Sequence, residues 1–377
     1  MTLASNQVLA ARMRALLLDG IGKAADAATG PERTVAGIVE WFGAMQAQDL
    51  ASGLWSFGMR IPGATESDIT DALERKEALR TWPMRGTVHF VPSRDAKWMV
   101  KLMGAKPLAG AAKRREYLGI TEDTVERAVD TLRDALAGGK RLTRAECIQA
   151  LNEAGISSAG QAGYHLLWYV SQVGVTCIAP HVGKEQTFVL LDEFVPDPHT
   201  PERDEALGIV ALRYVRSHGP VTVREMARWT GMGVRDCRTA VAAAGDAIVE
   251  VETEDGPMLA TPEALDAPCY TAKGFLTPPG FDEYMLGYGD RSAMLDPEGA
   301  QEVVPGNNGV FRATLVRGGR VVGTWKRTMR AKSCVVEAAP LGTAEGKGLT
   351  KQDRAKFEGA FAPYGTFVGM PIEVRWV

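Results

Sequence analysis

Two segments with the same local pattern constrain the fold more than any other feature of this chain. Residues 141–146 and 220–225 each contain Thr-x-x-Glu followed by apolar residues. In this capping box the threonine hydroxyl accepts a hydrogen bond from the main-chain N–H three residues later, and the glutamate reaches back to the threonine N–H. The two segments therefore predict where two short helices begin.

The surroundings of both capping boxes follow one order. An amphipathic helical pattern precedes each box, and a glycine break, a further helical pattern and a hairpin pattern follow it. The first unit has helices at 122–137 and 161–173 and strands at 175–179 and 187–191, and the second has helices at 204–217 and 235–244 and strands at 247–252 and 257–260. Helix, short capped helix, helix and hairpin is the order of a winged helix-turn-helix.

The two ends of the chain complete this prediction. The N-terminal 95 residues fit the same plan less closely, with helices at 6–18, 34–44 and 67–76, a hairpin of 79–81 and 87–91, and a polar insertion at 46–56. From about residue 272, short apolar segments alternate with glycine and proline, including a hairpin of 309–316 and 320–327. We predict an α+β fold of three tandem winged helix-turn-helix units (1–118, 119–200 and 201–271) and a C-terminal β-rich domain (272–377).

Composition narrows the class of protein. At 377 residues, with 45% hydrophobic and 24% charged residues, the chain resembles ordinary globular proteins. No apolar run approaches the ~20 residues of a membrane span, and we expect a cytoplasmic protein. The five cysteines are scattered without a Cys-x-x-Cys pair, so we expect buried, reduced thiols and no zinc site. Phosphate-binding loop motifs are also missing, which predicts chemistry without a cofactor or metal, or no chemistry.

Charge points to a local basic surface. The net charge of −3 argues against a non-specific polycation but permits a basic face. Between Glu302 and Glu337 there are seven basic residues and no acidic residue, which favours a polyanionic partner over the alternative of a sheet edge protected by cations. These are Arg312, Arg317, Arg320, Lys326, Arg327, Arg330 and Lys332. Further candidates for phosphate contact, or ordinary exposed cations, are Arg235, Arg238, 113–115 and 140–141.

Three places carry side chains suited to chemistry or recognition. Gln46 and Gln48 follow an apolar helical pattern, where the alternative is two solvated residues at a helix end. Arg85, at the bend of the first hairpin, either reaches a phosphate or faces water, and His89 is either an ionisable neighbour or a structural histidine. The 305–309 turn either probes a DNA groove through Asn307 and Asn308 or is an ordinary turn.

Other polar and aromatic residues are expected to be structural. We assign Trp55 and Trp82 to the core rather than to base stacking. Glu283 and Asp290 are interpreted as structural carboxylates unless they line a cleft.

Four segments together resemble one family. Residues 45–49, 80–89, 227–231 and 319–325 are similar, in order, to the winged-helix AlkZ/YcaQ family of bacterial alkylpurine DNA glycosylases. The resemblance covers nearly the whole chain and implies three tandem winged helices and a C-terminal β-domain. It also implies that Gln46 and Gln48 form the catalytic Q-x-Q signature of the AlkZ-like branch. Asp49 is out of register with the aspartate of the Q-x-D branch.

The resemblance further implies a substrate and a partner. The expected activity is base-excision repair by a monofunctional glycosylase that acts on duplex DNA carrying bulky N7-alkylguanine monoadducts or interstrand crosslinks, as a monomer, with self-resistance to a DNA-alkylating natural product as its role. The residues expected to bind DNA are Arg85, His89, Asn307, Asn308, Arg312, Lys326 and Arg327. No membrane partner is expected.

Amide side chains suit this chemistry for a physical reason. Alkylation at guanine N7 makes the base cationic, so it can leave without protonation by an enzyme acid. A glutamine carbonyl then only has to accept from a water molecule and face the developing positive charge on the sugar. Because an amide is a much weaker base than a carboxylate, it suffices only for labile lesions. Two alternatives remain at this point: a non-catalytic DNA-binding protein or regulator, and a protein that sequesters the alkylating agent itself.

Overall fold

The capping boxes predicted at 141–146 and 220–225 both begin helices in the computed structural model, which describes residues 2–19, 30–266 and 272–377. Thr143 and Thr222 each accept from the N–H of the glutamate three residues on, and that glutamate reaches back to the threonine N–H. The predicted polar insertion at 46–56 is a two-residue strand followed by a largely buried helix.

The elements follow in chain order. Up to residue 118 they are α1 Ser5–Ala15, α2 Val35–Phe42, β1 Met45–Gln46, α3 Leu50–Gly58, α4 Glu66–Glu74, β2 Ala78–Met84, β3 Thr87–Pro92, α5 Ala96–Met103, α6 Ala105–Gly110 and α7 Ala112–Tyr117. The next are α8 Glu122–Leu136, β4 Leu142–Thr143, α9 Arg144–Glu153, α10 Gln161–Gln172, β5 Thr176–Val182, β6 Glu185–Leu190 and α11 Leu191–Phe194.

The second half of the chain continues the mixed pattern. It contains α12 Arg203–His218, α13 Val223–Thr230, α14 Val234–Ala244, β7 Val249–Thr253, β8 Gly256–Ala260 and α15 Pro262–Asp266. After the gap come β9 Phe275–Leu276, α16 Glu283–Leu286, α17 Ala300–Val303, β10 Ala313–Arg317, β11 Arg320–Met329, β12 Cys334–Pro340, α18 Ala344–Lys347, α19 Lys351–Ala360, α20 Ala362–Val368 and β13 Ile372–Trp376. All four predicted hairpins are present, and the predicted first helix ends earlier, at Ala15.

The first two hairpins join into one sheet, which the sequence did not predict. Its strand order is β1-β3-β2-β5-β6-β4, and the β2–β5 junction is the single pair Arg80↔Ile178. The hairpin β7–β8 stays separate, and the C-terminal sheet has the order β13-β12-β11-β10-β9. This sheet is therefore built from two distant parts of the chain.

Aromatic and charged contacts fasten the N-terminal helices to the C-terminal region. As predicted, Trp55 and Trp82 are core residues, each 2% exposed. The Trp55 ring lies 5.0 Å from Tyr364 on α20, and its indole N–H donates to the Thr277 carbonyl. The Arg60 guanidinium forms a buried, two-pronged ion pair with Asp282 at 2.8 and 3.0 Å.

The basic run is one-signed in the sequence but not in three dimensions. Acidic residues from other elements pair with four of its members: Arg317 with Asp353, Arg320 with Glu345, Lys326 with Glu337 and Arg327 with Asp49. Arg312, Arg330 and Lys332 are exposed and have no ion pair within the described residues. A sequence window cannot reveal partners that the fold brings from far away.

The remaining composition-based predictions have separate outcomes. Four cysteines are buried free thiols, as expected, and Cys269 lies outside the described residues. Across the part of the chain that the structure describes, no helix has both the length and the apolar character required to cross a bilayer.

Candidate active site

The two glutamines lie beside the first hairpin. β1 pairs antiparallel with β3, with Met45 opposite Phe90 and Gln46 opposite His89. The Ala47 N–H extends the pairing by donating to the Val88 carbonyl at 2.9 Å. The strand ends there because Asp49 accepts from the Ser52 N–H and begins α3. The predicted relation between residues 45–49 and 80–89 is therefore a direct strand pairing.

Main-chain hydrogen bonds hold both amide side chains. The side-chain oxygen Oε1 of Gln46 accepts from the main-chain N–H of Gln48 at 3.0 Å. Oε1 of Gln48 accepts from the main-chain N–H of Val88 at 3.2 Å. Gln46 is only 8% exposed, whereas Gln48 is exposed. Since an amide oxygen has two lone pairs, one acceptor position remains on each side chain. The exposed Gln48 can therefore accept from a water molecule while its orientation stays fixed.

A buried carboxylate fixes the backbone of this strand. The Gln46 main-chain N–H donates to Glu283 Oε1 at 3.1 Å, and the Trp229 indole N–H donates to Oε2 at 2.9 Å. His218 Nε2 lies 3.3 Å from the same oxygen. Burial alone raises the pKa of Glu283, but the contacts with His218 and Trp229 outweigh it and leave the pKa below its usual value. The carboxylate is therefore ionised and joins three distant elements.

His89 is a structural histidine, the alternative that the sequence left open. Its ring is fully buried, with Nδ1 2.9 Å from the Thr87 carbonyl oxygen. Because a carbonyl only accepts, Nδ1 carries the proton and Nε2 accepts from Arg85 at 3.3 Å. Burial and the nearby Arg85 lower the pKa of His89 to about 3, so the ring is neutral. The prediction that His89 contacts DNA does not fit this burial: the ring has no exposed surface to offer a phosphate.

Arg85 is partly buried against another element and keeps part of its surface exposed. It occupies the left-handed bend of the hairpin (φ 55°) and is half-buried. Its Cγ lies against Gly231, at the end of α13, where an added Cβ would come within 3.2 Å. Burial lowers the pKa of Arg85, and the charge of Glu283 opposes that shift. Arg85 therefore links the hairpin to the end of α13.

The other predicted DNA-binding residues divide into two groups. Arg327 on β11 reaches Asp49, 3.7 Å away, so it lies beside the two glutamines. Asn307, Asn308 and Arg312 are exposed, and Lys326 points to solvent from β11 with Glu337 as its partner. The structure shows no direct contact between this second group and the glutamines within the described residues.

Sequence reasoning missed the residues that hold the site together. The prediction that Glu283 is structural agrees with its burial, but its contact with Gln46 joins residues 237 positions apart, which no local pattern reveals. No local pattern assigns a role to His218 or Trp229. The available signal is that Trp229 lies within 227–231, one of the four segments that resemble the glycosylase family.

Comparison with known proteins identifies the class of enzyme: the chain is a DNA glycosylase, a DNA-repair enzyme that binds DNA. The model of the family described as "DNA glycosylase AlkZ-like" matches residues 39–367. The chain therefore belongs to the AlkZ-like DNA glycosylase family, as the resemblance predicted.

Two further similarities were found, one in sequence and one in structure. The interstrand DNA cross-link repair glycosylase of Streptomyces sahachiroi is 27% identical over 304 residues, covering 75% of this chain and 79% of that protein. The solved structure of the Streptomyces sahachiroi DNA glycosylase AlkZ covers 100% of both chains with a TM-score of 0.79 and 24% identity. The second similarity confirms the mixed α+β fold.

Proposed function

We propose that this glycosylase hydrolyses the N-glycosidic bond of guanine carrying a bulky N7-alkyl group, either as a monoadduct or within an interstrand crosslink. Gln46 and Gln48 are the catalytic residues, and no metal or cofactor takes part. The enzyme is monofunctional and leaves an abasic site, since the motif contains no lysine nucleophile. It acts as a monomer.

The observation that carries the proposal is that both nearby carboxylates already have hydrogen-bond or ion-pair partners. Asp49 caps α3 and faces Arg327, and Glu283 is buried and bound to three donors. The Gln48 amide, just after β1, is exposed and keeps a free acceptor position. An amide orients water and stabilises positive charge but is a weak base. Chemistry of this kind requires a leaving group that is already activated, which a cationic N7-alkylguanine provides.

The modules that hold DNA are proposed to be three winged helices and a C-terminal domain, with boundaries after residues 118, 200 and 271. The sequence of helices and hairpins in 122–190 and 203–260 supports this organisation. Residues proposed to contact the duplex are Arg85, Asn307, Asn308, Arg312, Lys326 and Arg327. His89 is proposed to position Arg85 rather than to contact DNA, because its Nε2 accepts a hydrogen bond from the Arg85 guanidinium.

The experiment uses a duplex with one N7-alkylguanine. Heat or alkali after incubation converts abasic sites to strand breaks, which are then counted. Wild type is expected to release the base, and Gln48→Ala to reduce release by about 100-fold or more while DNA affinity stays within about twofold. Gln352→Ala, at an exposed position on α19, is the matched control. No base release by wild type would favour a non-catalytic DNA-binding protein instead.

Self-resistance is the proposed biological role. The support is the similarity to the interstrand DNA cross-link repair glycosylase of Streptomyces sahachiroi. Expression of the chain in a sensitive bacterium should raise survival after treatment with a crosslinking alkylator, and Gln46→Ala/Gln48→Ala should not. Equal protection by the variant would point to sequestration of the agent rather than repair.

A further inference from the structure

Basic residues from separate parts of the chain meet beside the first hairpin. Arg85, at the bend of the hairpin, lies against Gly231, where an added Cβ would come 3.2 Å from the Arg85 Cγ. Lys106 on α6 donates to the Gly231 carbonyl at 3.3 Å. Arg228 lies about one helical turn before Gly231, on α13. The fold therefore brings three cations from distant positions to the end of α13.

Arg291 extends this group from the C-terminal region. The Arg228 guanidinium donates to the Tyr288 carbonyl at 2.8 Å, and a Cβ added at Gly289 would come 3.0 Å from the Arg228 Cδ. Arg291 follows two residues after Gly289, with its guanidinium carbon 4.9 Å from the centre of the Phe311 ring. We call these four cations the basic cluster, defined by Arg85, Lys106, Arg228 and Arg291.

The members of the basic cluster have no acidic partner. Within the described residues none of the four forms an ion pair, whereas Arg317, Arg320, Lys326 and Arg327 of the basic run each pair with an acid. Arg85 Nε and Arg291 Nη2 are buried donors without an acceptor. Lys106 and Arg228 are exposed, so a large partner can reach the cluster. The cluster therefore has unused capacity to bind an anion.

The charges around the basic cluster leave it positive. Burial lowers the pKa of Arg85, and it lowers the pKa of Arg291 to about 10; the charge of Arg228 lowers both pKa values further. Glu283 and Asp290 oppose these shifts, but Glu283 is bound to other donors and Asp290 accepts from the Ser292 N–H at 2.9 Å. Four cations near two engaged carboxylates repel one another, and an anion between them would relieve that repulsion.

The basic cluster lies next to the glutamines. The Arg85 guanidinium donates to His89 Nε2 at 3.3 Å, and His89 pairs directly with Gln46 across β1 and β3. Directly paired residues of antiparallel strands point to the same face of the sheet, and residues two apart on one strand share a face. Gln46, His89 and the exposed Gln48 are therefore on the side of the sheet from which Arg85 reaches the cluster.

We propose that the basic cluster binds a backbone phosphate of the DNA strand that carries the lesion, next to the nucleotide at Gln48. The inference rests on the proposed function and adds Lys106, Arg228 and Arg291, which no sequence pattern assigns to DNA contact. A phosphate suits the cluster because guanidinium groups present paired N–H donors to its oxygens, while the lysine adds a point charge. Binding one phosphate of the reacting nucleotide fixes its sugar against the amides.

The test removes the charge of the phosphate and the charge of the protein separately and together. Each duplex carries one stable abasic-site analogue and one uncharged methylphosphonate, placed in turn at each of the three phosphates on either side of the analogue and on each strand. The proteins are wild type, Arg228→Met/Arg291→Met, and Arg133→Met, a control at an exposed arginine on α8 outside the cluster. Titration gives the affinity of each combination.

One methylphosphonate position in the lesion strand should weaken binding by wild type and by Arg133→Met about 10-fold or more, the value of hydrogen bonds to a charged group. The same methylphosphonate should change the affinity of the double variant by less than about twofold, because the cluster no longer holds that phosphate. The affinity of the double variant should also depend less on salt, with a log–log slope shallower by about 1.

The coupling between variant and methylphosphonate separates phosphate binding from a structural role. If each methylphosphonate weakens wild type and the double variant equally, the basic cluster is overturned as a phosphate site, even if the variant binds DNA more weakly. Base release from an N7-alkylguanine duplex is measured in parallel, and its absence in wild type would overturn the proposed function while the coupling still decides the cluster. If the double variant does not fold, Lys106→Met at an exposed position decides. The methylphosphonate should then weaken its binding less than that of wild type, and an equal effect counts against the cluster.

Discussion

At the scale of single residues, Glu283 determines how firmly the catalytic strand is held. Its two oxygens accept from the Gln46 main chain and from Trp229, so both positions need an acceptor. In Glu283→Gln one of these positions receives an NH₂ group, and a buried donor loses its partner. We expect base release to fall about 10-fold or more with DNA affinity unchanged within about twofold.

The Glu283→Gln prediction is checked by single-turnover release and by DNA titration. Glu298→Gln, at an exposed position, is the matched control. Wild-type rates in a folded Glu283→Gln protein would show that the strand does not need this carboxylate.

His89 makes stability depend on pH. The pKa of His89 is about 3 in the folded protein and about 6.5 in the unfolded chain. Below about pH 6.5, His89 therefore binds a proton in the unfolded chain but stays neutral in the folded protein. The contribution of His89 to the free energy of unfolding is fully present above about pH 6.5 and decreases as the pH falls towards about 3. Linkage gives a loss of about 2 kcal/mol between pH 8 and pH 5.

The measurement for His89 is urea unfolding of wild type and His89→Gln at both pH values. The pKa values of His165 and His181 are also lowered by burial, but these residues are present in both proteins and their contributions cancel in the comparison. Wild type should lose about 2 kcal/mol more than the variant. Identical losses would mean that the ring becomes protonated within the fold.

At the scale of elements, capping boxes are predictable because all their atoms lie within four residues. Thr143→Ala and Thr222→Ala should each lower the free energy of unfolding by about 1 kcal/mol. Their effects on activity should differ, since α13 carries Trp229, which donates to Glu283, whereas no residue of α9 contacts the glutamines within the described chain. At a temperature where both variants are folded, only Thr222→Ala should slow base release. Thermal melts and release assays on the two variants provide the test, and equal rates would contradict it.

The sheet shows what local patterns leave out. The hairpins β2–β3 and β5–β6 were each predicted from alternation and turn residues, yet their junction rests on the single pair Arg80↔Ile178. The pattern of neither strand specifies the other as its partner. For the same reason the sequence identified Gln46 and Gln48 from their neighbours but not the contacts of Glu283 with Gln46 and His218, which come from separate elements.

At the scale of the whole molecule, the Arg60–Asp282 pair joins the N-terminal region to the C-terminal region. Both side chains are fully buried, and the pair links residues 222 positions apart. Asp282 also accepts from the Ser56 hydroxyl and the Tyr284 N–H, so four donors surround one carboxylate. Burial raises the pKa of Asp282, but Arg60 outweighs it and the net pKa is lowered. The carboxylate therefore stays charged inside the core.

Removing one partner of a buried ion pair leaves the other charge without compensation, which is worse than removing both. Arg60→Met and Asp282→Asn should each lower the free energy of unfolding by about 3–5 kcal/mol, and the double variant by clearly less than the sum. Urea unfolding of the four proteins gives the coupling energy directly. Because Asp282 precedes Glu283, the single variants should also slow base release at temperatures where they remain folded. Additive losses of stability with an unchanged rate of base release would mean that apolar packing alone joins the N-terminal and C-terminal regions.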